Sequence, residues 1–300
     1  MMTGRNNFKA KIMLFGEYTV ICGSMALIMP FDRFSGKWVF GEPGLDDALC
    51  LRPFNDYLSR QQVLGNLIDC ARFGKDIENG LFFKSAIPQG YGAGSSGALV
   101  AAVYHRYARQ VNENKPELKT ILAAMESFFH GQSSGLDPLC SYLDAAVVVQ
   151  PDGTPETLKL VPQFNRMGIS LLLVDTKTTG KTGPLVGFFR EQLKQLRFFR
   201  MLSEQVIPFT NQSIAACLDN DPASLMDGLN KIADFQFNFL QPMIPESCTS
   251  LWQHGRKTGR FTLKLCGSGG GGYLLCFTQQ AELAAREIAA AGFEVICVEN

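Results

Sequence analysis

Between Phe8 and Tyr18 the chain alternates, with Ala10, Ile12 and Leu14 on one side and Lys9, Lys11 and Met13 on the other. That is the period of a strand with one buried face, and it sends Lys11 to the opposite face. MALIMPF (25–31) and GKWVF (36–40) read as two further strands, residues 55–73 as a helix, and LFFKSAI (81–87) as a strand entering a glycine loop. A helix follows the loop to about Val111. In PELKTILAAMESFFHG the apolar positions 118, 121, 122, 125, 128 and 129 form a helical stripe with Glu126 on its margin. SGLDPLCSYLDAAVVV predicts a short helix opening at Asp137 and a strand over 145–149, and PDGTPE (151–156) reads as a linker. Beyond it lie strands at ISLLLVD, FTLKLC, GYLLCF and FEVICV, with helices near 185–202, 222–240 and 280–291. The mixed order predicts an α+β protein with one domain over 1–155 and a second over 156–300.

The segment IPQGYGAGSSGALVAA (87–102) carries the first chemistry. Gly90, Gly92 and Gly94 permit positive φ and close backbone approach, and Ala93 lies among them. Ser95, Ser96 and Gly97 open a helix whose free amides and positive dipole end suit a phosphate. Gly92, Gly94 and Gly97 also satisfy GxGxxG, but the acidic residue a dinucleotide fold needs about 20 positions on falls at Glu117, in the first turn of a helix. Gly180, Lys181 and Thr182 spell GKT, yet a P-loop would need glycine where Asp175 stands. Neither motif is accepted.

Composition narrows the partners. Of 300 residues, 46% are hydrophobic and 19% charged, which suits a globular chain and excludes disorder. Lys plus Arg equals Asp plus Glu at 28 each, so there is no whole-chain attraction to nucleic acid or an anionic membrane. No apolar run approaches the roughly 18–20 residues of a membrane span, and MMTGRNNFKAK lacks a signal-peptide core, so the expected location is cytoplasmic. The nine cysteines lie in apolar stretches such as LLCF and VICV without zinc spacing, and read as reduced core residues. His105, His130 and His254 read as structural. The partner expected is a small molecule, and the chain a monomer or homodimer.

Each remaining residue has a plain alternative. Ser95 and Ser96 could be N-caps, Asp137 before Pro138 an N-cap, Glu126 a solvated carboxylate, and Lys11 a side chain snorkelling from an edge strand. The segment GSGGGG (267–272) could be a hairpin loop, but four consecutive glycines are costly in chain entropy. Close packing against a ligand or against the other loop explains them better.

In this order, KIMLFGEYTVICGSMAL, PQGYGAGSSGA, ESFFHGQSSGLD and KLCGSGGGG resemble the signature motifs of the GHMP small-molecule kinases, most closely their mevalonate kinases. The resemblance runs from residue 11 to 272. It implies a two-domain GHMP kinase fold, with a ribosomal protein S5 domain 2-like N-terminal domain, a ferredoxin-like C-terminal domain, and ATP and substrate meeting in the cleft between them. It implies Lys11 and Asp137 as catalytic cation and base, and Ser95 or Ser96 with Glu126 as Mg²⁺ ligands. Gly90, Gly92, Ala93, Gly94, Ser95, Ser96 and Gly97 would hold the ATP phosphates. Glu17, Tyr18, Thr182, Gly267, Ser268 and Gly269 would lie on the substrate side.

The sequence departs from that pattern at Lys9 and Ala10, which replace the usual proline and glycine, and at Tyr18, which replaces a histidine. GAGSSG stands where GLGSSA is customary. The implied activity is ATP- and Mg²⁺-dependent phosphoryl transfer to a hydroxyl of a small metabolite, mevalonate first. Phosphomevalonate kinase, diphosphomevalonate decarboxylase, homoserine kinase and sugar kinase activities remain open, with Lys177, Lys181 and Arg190 as cations for a phosphorylated substrate. A nucleotide-binding sensor that has lost turnover is the reading from a different class.

Overall fold

The computed structural model describes residues 5–42, 51–180 and 182–298. The chain forms two compact units that interleave along the sequence, one of Met1–Lys11, Pro30–Pro88 and Gly94–Ala145, the other of Ile12–Met29, Gln89–Ala93 and Ala146–Asn300. Two of their five boundaries fall inside the first two strands, β1 (Asn7–Phe15) and β2 (Ala26–Phe40). The two strands expected over 25–31 and 36–40 are a single strand. Pro30, which has no N–H to give a ladder, lies outside both the stretch pairing with residues 147–149 and the stretch pairing with residues 81–85.

In the first unit the single helix expected over 55–73 is three: α1 (Leu51–Arg60), α2 (Gln62–Leu67) and α3 (Cys70–Glu78). Gln61 and Ile68 adopt extended backbone and break the run, Ile68 bridges to Ala108, and Asp69 caps α3 by accepting from Arg72 N. β3 (Leu81–Ser85) pairs antiparallel with Gly36–Phe40 of β2. After the glycine loop come α4 (Ser95–Tyr107), α5 (Lys115–His130) and α6 (Leu136–Leu143). α4 stops short of Val111 because Ala108 is extended. Asn114 caps α5 by accepting from Glu117 N, with Pro116 in the first turn where its missing N–H costs nothing. Trp38, Phe73, Phe83 and Tyr107 form an aromatic cluster, with ring centroids 4.7 Å apart for Phe73–Tyr107 and 5.2 Å for Trp38–Phe83.

In the second unit β4 (Val147–Val149) pairs with Ala26–Ile28 of β2 and turns into β5 (Pro155–Thr157). The stretch read as a linker is therefore a hairpin turn. Gln150 N donates to Thr154 O, Thr154 N donates to Asp152 Oδ1, and Gly153 supplies the φ of +87° the turn requires. Next come β6 (Ser170–Asp175), α7 (Thr182–Leu193), α8 (Leu196–Met201), α9 (Ile207–Asp219), α10 (Pro222–Phe239) and α11 (Thr249–Thr258). The unit ends with β7 (Thr262–Leu265), β8 (Tyr273–Thr278), α12 (Ala281–Ala290) and β9 (Glu294–Val298). Strand order β7-β8-β6-β9, every pair antiparallel, is the ferredoxin-like arrangement that the resemblance implied for this part of the chain. Helices α9 and α11 had no counterpart in the sequence reading. Their buried sets include Thr210, Ser213 and Gly255, which dilute the apolar stripe.

The core of this unit joins Leu172, Val174, Phe189, Phe198, Phe235, Trp252, Leu274 and Ile288. The cysteine expectation needs correction: Cys140, Cys217, Cys248, Cys266 and Cys276 are buried, but Cys22 and Cys70 are half-buried and Cys297 is exposed. Both faces of β8 are covered, and Phe277 is fully buried with its ring 5.6 Å from Phe164 and 6.3 Å from Phe15. Phe277→Ala should lower unfolding free energy by about 3–5 kcal/mol in urea denaturation with an unchanged slope. A loss under about 1 kcal/mol would show that this strand does not carry the core.

Candidate active site

Within the first unit, four residues from four elements converge. Lys11 leaves β1 with its side chain only 3% exposed, and its Nζ lies 2.9 Å from Asp137 Oδ2. The strand face expected to be open is thus closed over this lysine, which does not snorkel to solvent. Asp137 stands in the first turn of α6, whose N-cap position is taken by Gly135, so the N-cap alternative does not hold. Its side chain is 28% exposed, leaving a carboxylate that is paired with a cation yet open on one side.

Glu126 is buried rather than solvated. Its Oε1 accepts from Ser96 Oγ at 3.1 Å, and its Oε2 accepts from Ser133 Oγ, which in turn accepts from Gly135 N. Burial pushes its pKa up, the nearby Asp137 charge pushes it further, and the two serine hydroxyls pull it back. His130 Nε2 lies 2.9 Å from Ser96 Oγ. Since the serine has one proton and gives it to Glu126, the ring nitrogen donates to the serine oxygen. Burial lowers the His130 pKa. His130 thus orients a serine that bonds Glu126, and Ser133 was missed because nothing in the spacing of HGQSSG marks one serine as a carboxylate clamp.

Ser95 and Ser96 begin α4, but neither caps it: the N-cap is Gly94 at φ +78°, without a side-chain cap bond. The N-cap position thus offers no side-chain acceptor to the first amides of the helix, whose positive end is of the kind that suits an anion. Gly94 and Gly97 are required by close approach. A Cβ on Gly94 would lie 2.7 Å from Lys11 Cγ, and one on Gly97 would lie 2.8 Å from Asp137 Cβ and 2.9 Å from its carbonyl carbon. Helix α4 can rest on Asp137 only because residue 97 has no side chain.

Within the second unit, the two glycine loops touch. Gly90 and Gly92 have φ of +75° and +72°, and a Cβ on Gly92 would come within 2.5 Å of Cys266 O. Gly180 N donates to Gly90 O at 2.9 Å, and Tyr273 N to Tyr91 O at 3.3 Å. Close packing thus accounts for GSGGGG: Gly267 and Gly272 lie against Gly92 and Tyr91 of the other loop, while Gly269, Gly270 and Gly271 lie against Met243, Leu185 and Thr178–Gly180. Gly267, Gly269, Gly270 and Gly272 all have φ between +67° and +75°. Ala93 is buried in the same stretch. Tyr18 donates to Ser268 O at 2.6 Å and packs on Phe189 with centroids 4.7 Å apart; burial, helped by Glu17, raises its pKa.

Glu17 is buried against Lys264, with Nζ 2.6 Å from Oε2 and side chains 2% and 1% exposed. Lys264 was passed over because it was read as one polar position in FTLKLC. Its burial could not be inferred without knowing that both faces of β7 are covered. Of the remaining sites, Thr182 opens α7, Lys177 pairs with Glu294 at 3.1 Å, Arg190 is exposed, and Lys181 lies outside the described residues.

The donor set around Glu126 suits a hard cation that keeps phosphate and water ligands: one buried carboxylate, a serine hydroxyl, and a second carboxylate close enough to raise the first one's pKa. No group of three or more His, Cys, Asp or Glu forms a closed cage among the described residues. Magnesium is usually held by one or two carboxylates plus substrate phosphates, so the set fits without a cage.

Residues 60–144 match the family model described as the GHMP kinases N terminal domain. The mevalonate kinase of Thermococcus sibiricus is 26% identical over 96% of this chain and 93% of that protein. The crystal structure of L. major mevalonate kinase in complex with R-mevalonate shares the fold with a TM-score of 0.65 at 19% identity, covering 99% of this chain and 96% of that one. The Streptococcus pneumoniae phosphomevalonate kinase gives 0.66 at 14% identity, covering 97% of each. Residues 60–144 thus resemble the N-terminal domain of the GHMP small-molecule kinases, and the whole chain shares their fold. Over nearly its full length the chain is similar to mevalonate kinases, at about a quarter identity.

Gly97→Ala tests the close approach. Alanine is the better helix former by about 1 kcal/mol. The contact with Asp137 should nevertheless make the variant less stable by about 1–3 kcal/mol in chemical denaturation. A more stable variant would show that α4 and α6 do not rest on one another at this point.

Proposed function

We propose that the chain is an ATP- and Mg²⁺-dependent kinase that phosphorylates a hydroxyl of mevalonate. The observation that carries the reading is the pairing of a buried ammonium with an open carboxylate beside the mouth of α4, Lys11 to Asp137 at 2.9 Å. Phosphoryl transfer needs charge neutralisation and alignment more than covalent assistance, and these residues supply both. Asp137 Oδ1 or Oδ2 accepts the proton of the attacking hydroxyl. Lys11 favours the ionised carboxylate and offsets the negative charge that builds as the phosphoryl group moves. The amides at the start of α4 bind phosphate oxygens, with Gly90, Gly92, Ala93 and Gly94 allowing the backbone to approach. Mg²⁺, held by Ser96 or Ser95 and Glu126, supplies neutralisation of the phosphate oxygens when bound.

Glu17, Tyr18, Thr182, Gly267, Ser268 and Gly269 are the proposed substrate-side residues, Glu17 acting from within its ion pair with Lys264. A sensor without turnover needs no paired base, and the Lys11–Asp137 geometry speaks against it. No described helix is long and apolar enough to cross a membrane.

A coupled ADP-release assay over mevalonate, its phosphates, homoserine and simple sugars should give turnover with mevalonate that chelation of divalent cations abolishes. In the same assay Asp137→Asn and Lys11→Met should each lower kcat by about 10²–10⁴ while nucleotide still binds in calorimetry. Undiminished rates in both variants would remove the base and its cation from the mechanism. Turnover with a sugar alone would replace the substrate.

A further inference from the structure

The four glycines at 269–272 have little conformational preference of their own, so something outside the loop must hold it. Four of the holds are main-chain bonds that any sequence could make: Gly270 N to Met243 O, Gly272 N to Thr178 O, Thr176 N to Gly272 O, and Tyr273 N to Tyr91 O. The others depend on side chains. At the entry to the loop, Lys264 Nζ bonds Glu17 Oε2 at 2.6 Å and Leu265 O at 3.2 Å, and Gln236 Oε1 accepts from Leu265 N at 2.9 Å. Inside the loop, the Tyr18 hydroxyl bonds Ser268 O at 2.6 Å, and at its far end the Thr176 hydroxyl bonds Gly272 O at 2.7 Å. Glu17 and Tyr18 are neighbours in sequence, so one short segment after β1 grips the loop at two points, one an ion pair sealed from solvent and one a hydroxyl. The ring of Tyr18 is itself fixed against Phe189.

We propose that Lys264 and Tyr18 are positioning residues that hold the second glycine loop in place, and that this loop in turn holds Gly90–Gly92 in the shape that receives nucleotide phosphates. The transmission is steric. Gly92 lies against the carbonyl of Cys266, and Gly272 against the main chain of Tyr91, at distances that leave no room for a Cβ. A loop loosened at Ser268 or Leu265 therefore loosens its contact with Gly92 as well, while Thr176 and Thr178 keep hold of Gly272. This role rests on the kinase reading for the identity of the ligand, but not for the mechanical coupling.

The test uses two variants of the full chain. Glu17→Met with Lys264→Met replaces the ion pair by apolar side chains and strands no buried charge, and Tyr18→Phe removes only the hydroxyl. Hydrogen exchange of the peptide covering 266–273 is measured alongside direct binding of a non-hydrolysable ATP analogue and steady-state kinetics. Both variants should melt cooperatively, exchange the loop amides about tenfold faster, and bind the analogue about tenfold more weakly, with a smaller fall in kcat. If the double variant does not fold, Tyr18→Phe decides by the same readings. Wild-type exchange and affinity in a folded variant would overturn the proposal, as would a fall in kcat with affinity unchanged, which indicates a role in chemistry instead. Absence of nucleotide binding by the wild-type protein would overturn the kinase reading and, with it, the nucleotide role. Unchanged exchange in a protein that does bind nucleotide would overturn the positioning role alone.

Discussion

A lysine buried to 3% exposure must be paired, and Lys11 has Asp137. That requirement organises the first unit. The carboxylate has to sit where the strand delivers the ammonium, so α6 starts there; helix α4 must pass close by, so residue 97 has no side chain, and residue 94 makes room for the lysine's methylenes. The result is a cation and a carboxylate beside the open amides of a helix, a combination expensive to assemble unless it is used. Removing one partner of such a buried pair typically costs about 3–5 kcal/mol, because the other charge is left without compensation. In the kinase reading proposed above, the same arrangement prepares the site for charge that arrives with a ligand.

The second unit repeats the device with Glu17 and Lys264, both nearly fully buried. Here the pair lies at the base of a glycine loop rather than beside a helix. In both units a flexible, glycine-rich backbone is set against a rigid ionic contact. The glycines permit close approach, and the ion pair decides which close approach is made.

The elements with strong periodicity were legible in the chain. α5 and the four strands of the ferredoxin-like sheet fell where alternation or apolar stripes put them, and so did the glycine loop with its following helix. What escaped depended on partners distant in sequence. The mostly polar stretch at 32–35 suggested two strands, but β2 runs through it, pairing with β4 before it and with β3 after it. The turn at 150–154 carries the same proline and glycine chemistry as a linker, and only its bond partners distinguish the two. Among the site residues, Lys11, Glu126 and Asp137 were read from the resemblance of their motifs, and their convergence is visible in the structure. Ser133, His130 and Lys264 carried no local signal, since a serine, a histidine and a lysine at those places are ordinary until Glu126, Ser96 and Glu17 are seen beside them.

The most direct measurement is a crystal structure of the protein with a non-hydrolysable ATP analogue, a divalent cation and mevalonate. The account predicts the terminal phosphate at the amides of Ser95–Gly97, the cation touching Glu126 and a loop serine, and the acceptor hydroxyl within hydrogen-bond reach of Asp137. A nucleotide bound away from the start of α4, or an acceptor hydroxyl far from the Asp137 carboxylate, would contradict it.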